Sequence, residues 1–291
     1  MAKTVKTRSH TFEHAGANLH YITAGSPDKP LLLMIHGYTS AHVVWRTTIP
    51  VLQDDFYCVA IDLLGHGDSD ILPDGDYSIP AQGERVVALA DHLGYDKFSL
   101  IGHSMGGQTS LCIGSMLAPE RVDTLISVSG VASAELTPFV NQTTFRMIHF
   151  GQKSGLFPLI EAFSRATAVG LKPFAAFQFA SWFHDMDAML HRFDDWQLDR
   201  KYANRRGMRH TWWHGMNAIE AFDARPHLPK IQAKTMALFG AQDNVVPPTD
   251  AQVTADGVPD GTYRLIDDCG HFPMFEQTSE YQAIVREFLL G

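Results

Sequence analysis

The sequence predicts an α/β fold with a doubly wound, mostly parallel sheet into which a helical segment is inserted. Three observations carry that expectation. Short, largely apolar runs recur in the first half, at Leu31 to Ile35, Tyr57 to Ile61, Phe98 to Ile101 and Val122 to Val128. Runs of this kind bounded by Gly, Asp and Pro suit strands buried on both faces of a parallel sheet. Between them lie helical patterns such as Ala81 to Leu93, where Val86, Val87, Leu89, Ala90 and Leu93 return at helical spacing. Strands alternating with helices imply right-handed crossovers and helices on both faces. The alternation then stops at Gly130 and resumes near Thr235.

Taken in chain order, Thr11 to Gly16 and Asn18 to Ala24 read as an antiparallel pair turned at Gly16-Ala17-Asn18, forming one edge of the sheet. The alternating series follows, with Thr109 to Leu117 as a further helix. From Val131 to Arg225 the pattern is aromatic and helical, with Phe145, Phe150, Phe157, Phe163, Phe174, Phe177, Phe179, Trp182, Phe183, Phe193, Trp196, Trp212 and Trp213. Thr235 to Phe239 and Thr262 to Ile266 then read as strands and Tyr281 to Leu290 as a closing helix. The expected organisation is a catalytic domain of residues 1–130 and 226–291, interrupted by a helical cap over 131–225. There is no internal repeat and no low-complexity segment.

Composition bounds the partners. The chain has 291 residues, 45% apolar and 19% charged, enough to bury a sizeable core. A net charge of −9 argues against a polyanion-binding surface, so nucleic acid is not an expected partner. Cys58, Cys112 and Cys269 form an odd set without close metal-ligand spacing and read as reduced thiols, hence a cytoplasmic setting. The basic start lacks an apolar stretch behind it, and no apolar run approaches the roughly 20 residues of a membrane span. Neither secretion nor a membrane partner is expected, and the oligomeric state is left open.

Chemistry is concentrated at strand ends. Gly102-His103-Ser104-Met105-Gly106 follows the run Phe98 to Ile101 and precedes a helix-like stretch, the strand–turn–helix setting of a nucleophile elbow. Such a turn strains the serine backbone and needs glycine where a Cβ would collide with the neighbouring strand and helix. A serine hydroxyl needs a base, and His271 in Cys269-Gly270-His271-Phe272-Pro273 follows the Thr262 to Ile266 strand, at the sheet edge where ligands bind. Of the chain's 15 histidines, that placement singles it out. The base needs a carboxylate, and Asp243 leaves the strand Thr235 to Phe239 in a loop, ahead of the competitors Asp250, Asp267 and Asp268. The order Ser104, Asp243, His271 fits. Two backbone N–H donors are needed for an oxyanion; Met105 supplies one and Tyr38, in His36-Gly37-Tyr38-Thr39-Ser40, the other.

Together these segments, with Asp62-Leu63-Leu64-Gly65-His66-Gly67-Asp68-Ser69 and Gly240 to Pro247, resemble the α/β-hydrolase superfamily over nearly the whole chain outside the cap. The Asp62 to Ser69 segment reads as a structural turn after a strand. The resemblance admits esterases, lactonases, thioesterases, carbon–carbon hydrolases and cofactor-free haloperoxidases or perhydrolases. Epoxide hydrolases and haloalkane dehalogenases use an Asp nucleophile, against which Ser104 argues. Carbon–carbon hydrolases and proline-iminopeptidase relatives carry glycine- and proline-rich oxyanion loops from which Tyr38-Thr39-Ser40 departs. The leading expectation is a serine hydrolase acting through an acyl-enzyme on an ester, lactone or thioester with a hydrophobic moiety, without a cofactor. A non-catalytic ligand receptor on the same fold is the reading from another class. His36, Gly37, Phe179 and Trp212 are expected to contact substrate. His210 and His214 stand four apart, but with no third ligand apparent no metal site is expected.

Overall fold

A computed structural model describes residues 6–137, 146–159, 162, 182–185 and 208–291. Its strands are β1 (Arg8–His14), β2 (Ala17–Ala24), β3 (Leu31–Ile35), β4 (Tyr57–Ile61), β5 (Phe98–His103), β6 (Val122–Val128), β7 (Lys234–Gly240) and β8 (Gly261–Ile266). They form an eight-stranded sheet in the order β1-β2-β4-β3-β5-β6-β7-β8. β1 and β2 are antiparallel to each other, and β2 is antiparallel to β4; every other pairing is parallel. The doubly wound, mostly parallel sheet expected from the sequence is therefore present, with the antiparallel pair at one edge.

The helices follow from where apolar faces must go. They are α1 (Ile49–Leu52), α2 (Ile79–Leu93), α3 (Met105–Cys112), α4 (Arg146–Ser154), α5 (Met208–Ala221), α6 (Thr249–Gly257), α7 (Pro273–Glu276) and α8 (Thr278–Leu290). Leu31, Leu33 and Ile35 of β3 face one core with Val86 and Leu89 of α2, Leu111 of α3 and Ala251 of α6. Leu32 and Met34, on the alternate side, face a second core with Leu52 of α1, Met274 of α7 and Tyr281 and Val285 of α8. Period-two alternation along one strand thus feeds two cores, which is why β3 carries no polar residue. Full burial of each such side chain contributes about 1.5–3 kcal/mol. α2 is bounded by local chemistry: Ser78 Oγ accepts from the Ala81 N–H at 3.3 Å, and Gly94 closes it at φ 80°.

Two boundaries differ from the sequence reading. The β1–β2 turn lies at Ala15-Gly16, one residue earlier than expected, because His14 pairs with Ala17. Both turn residues have positive φ, 50° and 76°, the two-residue hairpin geometry that matches strand twist. The helix after β5 begins at Met105 rather than Thr109, because the serine turn feeds it directly. Ile113–Leu117 then continues it as a π-turn closed by Ala118 N–H to the Ile113 carbonyl at 2.9 Å.

Within the expected cap segment the structure describes residues 131–137, 146–159 with α4, 162, 182–185 and 208–225 with α5; Phe145, Phe163, Phe174, Phe177, Phe179, Phe193, Trp196 and the His210 side chain lie outside the described residues. α5 presents Gly215, Met216, Ala218, Ile219 and then Phe222 to the core, an apolar stripe at helical spacing. Among the described residues no helix is long and apolar enough to cross a membrane. The three cysteines are free and buried, and burial pushes the Cys58 and Cys112 thiols up to about 12.

Candidate active site

β5 runs into Ser104, whose backbone adopts φ 55° and ψ −118°. A non-glycine residue held there carries roughly 1–3 kcal/mol of strain, sustained only by a surround that fixes it. Ser104 N–H donates to the Val128 carbonyl at 2.9 Å, and the Ser104 carbonyl accepts from Gln108 N–H at 3.0 Å. The glycines explain the tight turn. A Cβ on Gly102 would lie 2.1 Å from the Gly106 carbonyl oxygen, and one on Gly106 would lie 2.1 Å from that of Ile35.

β7 and β8 are neighbours, so the loops that leave them meet. Gln242 N–H donates to the Cys269 carbonyl at 2.9 Å, and Cys269 N–H returns a bond to Gln242 Oε1 at 3.0 Å. A Cβ on Gly240 would lie 2.1 Å from the Gly270 carbonyl oxygen, so only glycine permits that approach. Asp243 Oδ1 is occupied by the N–H groups of Val245 (2.8 Å) and Val246 (3.0 Å), which aims Oδ2 at His271 Nδ1, 2.8 Å away. A carboxylate can only accept, so Nδ1 carries a proton, which in the neutral ring leaves Nε2 as the acceptor.

The competing carboxylates are elsewhere. Asp250 lies in α6 and accepts from Ala132 N–H, Ser133 N–H and the Ser133 hydroxyl; Asp268 is exposed, near His184. Ser104 and His271 line one cavity, but among the described residues no hydrogen bond joins the serine hydroxyl to the imidazole. Gly37 and Tyr38 line the same cavity, with Leu136, Ile219 and Val245 as apolar walls and Trp182 and Phe272 beside the histidine.

His36 is not in that lining. Its Nε2 accepts from Leu63 N–H at 3.0 Å, so its protonated Nδ1 donates to the Gly37 carbonyl at 2.8 Å. That bond fixes the Gly37–Tyr38 peptide, and planarity sends the Tyr38 N–H to the opposite side. Gly37 lies against the elbow, where a Cβ would stand 3.0 Å from Ser104 Cβ. Trp212 is absent from the lining as well; its ring meets Phe157 edge-on at 6.1 Å, and its carbonyl accepts from the Tyr38 hydroxyl at 2.7 Å. Phe179 lies outside the described residues, and His214 stacks on Tyr77 at 4.5 Å.

Several supporting residues escaped the sequence reading. Glu276, on the turn of helix after His271, accepts from the N–H groups of His184 (2.7 Å), Asp185 (3.2 Å), Gly270 (3.0 Å) and Phe272 (3.2 Å). Burial raises its carboxyl, an effect those bonds offset only in part. His103 donates from Nε2 to the His271 carbonyl at 2.9 Å, and burial, then His271 beside it, pushes its imidazole well below the usual range. It is therefore a neutral brace for the histidine loop.

Asp62 closes a third cluster. Its Oδ2 lies 2.8 Å from His20 Nδ1 and 2.9 Å from His42 Nδ1, and it accepts the backbone N–H of His42 and Asp68. These three side chains lie close enough to share an ion, but their spacing is that of hydrogen bonds, with ring N–H groups turned to the carboxylate. Burial alone would raise the Asp62 carboxyl, yet the bonds from His20 and His42 prevail and hold it far below the usual carboxylate range.

Comparison with known proteins agrees with this architecture. A family model for the alpha/beta hydrolase fold matches residues 30–278. The chain is 27% identical over 285 residues to 3-oxoadipate enol-lactonase 2 of Acinetobacter baylyi, covering 93% of this chain and 94% of that protein. It superposes on the enol-lactonase of Burkholderia xenovorans LB400 with a TM-score of 0.78 at 20% identity, over 97% of this chain and 100% of the other. For the 2-hydroxy-6-oxo-6-phenylhexa-2,4-dienoate hydrolase of Rhodococcus sp. RHA1 the TM-score is 0.73 at 22% identity, over 99% and 100%. Eight strands in this order, a strained serine between β5 and α3 and a match spanning most of the chain place the protein in the α/β-hydrolase fold family.

Proposed function

We propose that the protein is a serine hydrolase that cleaves a carboxylic ester, lactone or thioester bearing a hydrophobic group. The observation that carries the reading is the Asp243–His271 pair at 2.8 Å beside a strained, cavity-lining Ser104. His271 Nε2 takes the Ser104 proton as Oγ attacks the substrate carbonyl. The tetrahedral oxyanion is received by the backbone N–H groups of Met105 and Tyr38. Its collapse breaks the bond to the leaving group, which takes the proton back from His271, and water then cleaves the acyl-enzyme by the same route.

The apolar walls supply little to stabilise a charged group, which supports a hydrophobic acyl or alcohol moiety. The enol-lactonase relative supports an oxygen ester or lactone within this range. Residues 131–225 are proposed as the cap over the site, since Leu136, Trp182 and Ile219 from that stretch reach the cavity. Turnover of a short p-nitrophenyl ester by the wild type, lost in Ser104→Ala, tests the reading; a protein that binds but does not turn over any ester, lactone or thioester would instead be a receptor.

A further inference from the structure

The loop that carries the proposed Tyr38 donor is held from two sides. On one side Gly37 lies against the elbow, within 3.0 Å of Ser104 Cβ for an added Cβ. On the other, the Tyr38 side chain leaves the loop and seats on α5. A Cβ on Gly215 would lie 2.7 and 2.9 Å from ring carbons Cδ2 and Cε2, and the hydroxyl donates to the Trp212 carbonyl at 2.7 Å. Next to it Thr39, a β-branched residue, is held at φ 53°, a conformation that needs contacts around it to persist.

The same glycine brings α5 to the other proposed donor, since its Cβ would stand 3.7 Å from Met105 Sδ. α5 is also hung on the helix that Ser104 begins. Gln108 Nε2 donates to the Ile219 carbonyl at 3.2 Å and the Phe222 carbonyl at 2.7 Å, at the end where helix carbonyls lack partners. Ile219 itself lines the cavity. One helix therefore bonds to the Tyr38 side chain, passes close to that of Met105 and, through Ile219, borders the space a substrate fills.

We propose that α5 is a positioning element for the oxyanion hole, acting through Gly215 and the Tyr38 hydroxyl, so that the covering segment sets the rate of the chemical step as well as substrate choice. The inference rests on the hydrolase reading above. A substrate group that presses on Ile219 presses on the helix that fixes the donors. Tyr38 is here a positioning residue through its side chain, distinct from the work of its backbone N–H.

Tyr38→Phe keeps the ring and removes the hydroxyl, whereas Gly215→Ala drives a methyl into the ring. The measurements are kcat and KM for a short p-nitrophenyl ester and inhibition by an alkyl boronic acid. As the boronate adduct forms, Ser104 Oγ bonds to boron and passes its proton to His271, so that the boron becomes tetrahedral and anionic like the reaction intermediate. The expected result is a kcat about tenfold lower in Tyr38→Phe and about a hundredfold lower in Gly215→Ala, with KM within about threefold. Boronate affinity should fall by matching factors, and the pH dependence of kcat should keep its shape because Asp243 and His271 are untouched.

A purely structural contact would lower thermal stability or raise KM and leave kcat and boronate affinity alone. That result in Tyr38→Phe overturns the proposal, even if Gly215→Ala fails to fold. Failure of the underlying reading shows itself earlier and differently, as a wild type that neither turns over ester nor forms the boronate adduct, and the proposal falls with it.

Discussion

The Nδ1 of His271 lies 2.8 Å from Oδ2 of Asp243, and both residues are almost wholly withdrawn from solvent. Because Oδ1 is already filled by Val245 and Val246 N–H, the carboxylate cannot turn to another partner. Asp243→Asn should keep the fold, yet its amide NH2 cannot accept the Nδ1 proton from the position of Oδ2. The imidazole would then be held in the wrong tautomer, and kcat should fall by about 10⁴ with Tm little changed. Steady-state kinetics beside a thermal melt check this; near wild-type kcat would assign the acid to another residue.

Glu276 joins the histidine loop to residues 184 and 185 through four backbone N–H bonds. Glu276→Gln exchanges one acceptor oxygen for a donor, leaving at least one buried N–H unmatched at about 1–3 kcal/mol. Tm should drop by several degrees and kcat by a smaller factor than in Asp243→Asn. Unchanged stability would show that the clasp contributes nothing.

Asp62 should contribute to the loss of stability in acid. Its carboxyl is depressed in the folded protein, whereas in the unfolded chain it takes a proton near the usual value of about 3.9. Its stabilisation is therefore fully present above that value and is lost as pH falls toward the folded one, because the unfolded state gains a proton that the native state does not. Asp62→Asn should destabilise the protein by about 2 kcal/mol or more at neutral pH and flatten the fall in stability below about pH 4. Urea melts between pH 3 and 7 give both; a variant with the wild-type slope would remove Asp62 as its source.

Trp182 stands beside His271 and lines the cavity, its ring edge-on to the imidazole at 6.1 Å. Trp182→Ala should enlarge the site and shift relative kcat/KM toward longer esters by roughly tenfold, while the shortest ester loses less. A parallel fall for every chain length would mean the ring serves the histidine and not the substrate.

The strands were legible where the pattern was local. Leu31–Ile35 and Tyr57–Ile61 match the sequence reading residue for residue, because a buried parallel strand must be apolar on both faces. The β1–β2 turn was misplaced because Ala15 at φ 50° carries no sequence mark of that conformation. The serine, histidine and acid loops were readable as strand ends. Glu276, Gln108 and Asp62 were not singled out, since much of what they bind is backbone contributed by segments distant in the chain, which leaves no spacing to detect. Gly215 carries no mark in the sequence, and its meaning appears only once Tyr38 is seen against it.

A serine hydrolase of this design must carry a covalent acyl group on Ser104 during turnover. Intact-protein mass spectrometry after rapid acid quench with a p-nitrophenyl ester tests it most directly. The expected result is a mass increase equal to the acyl group, mapped by peptide fragmentation to Ser104, accumulating in a burst and missing from Ser104→Ala. Ester turnover that persists in Ser104→Ala, or an acyl group mapped to any other residue, would contradict it.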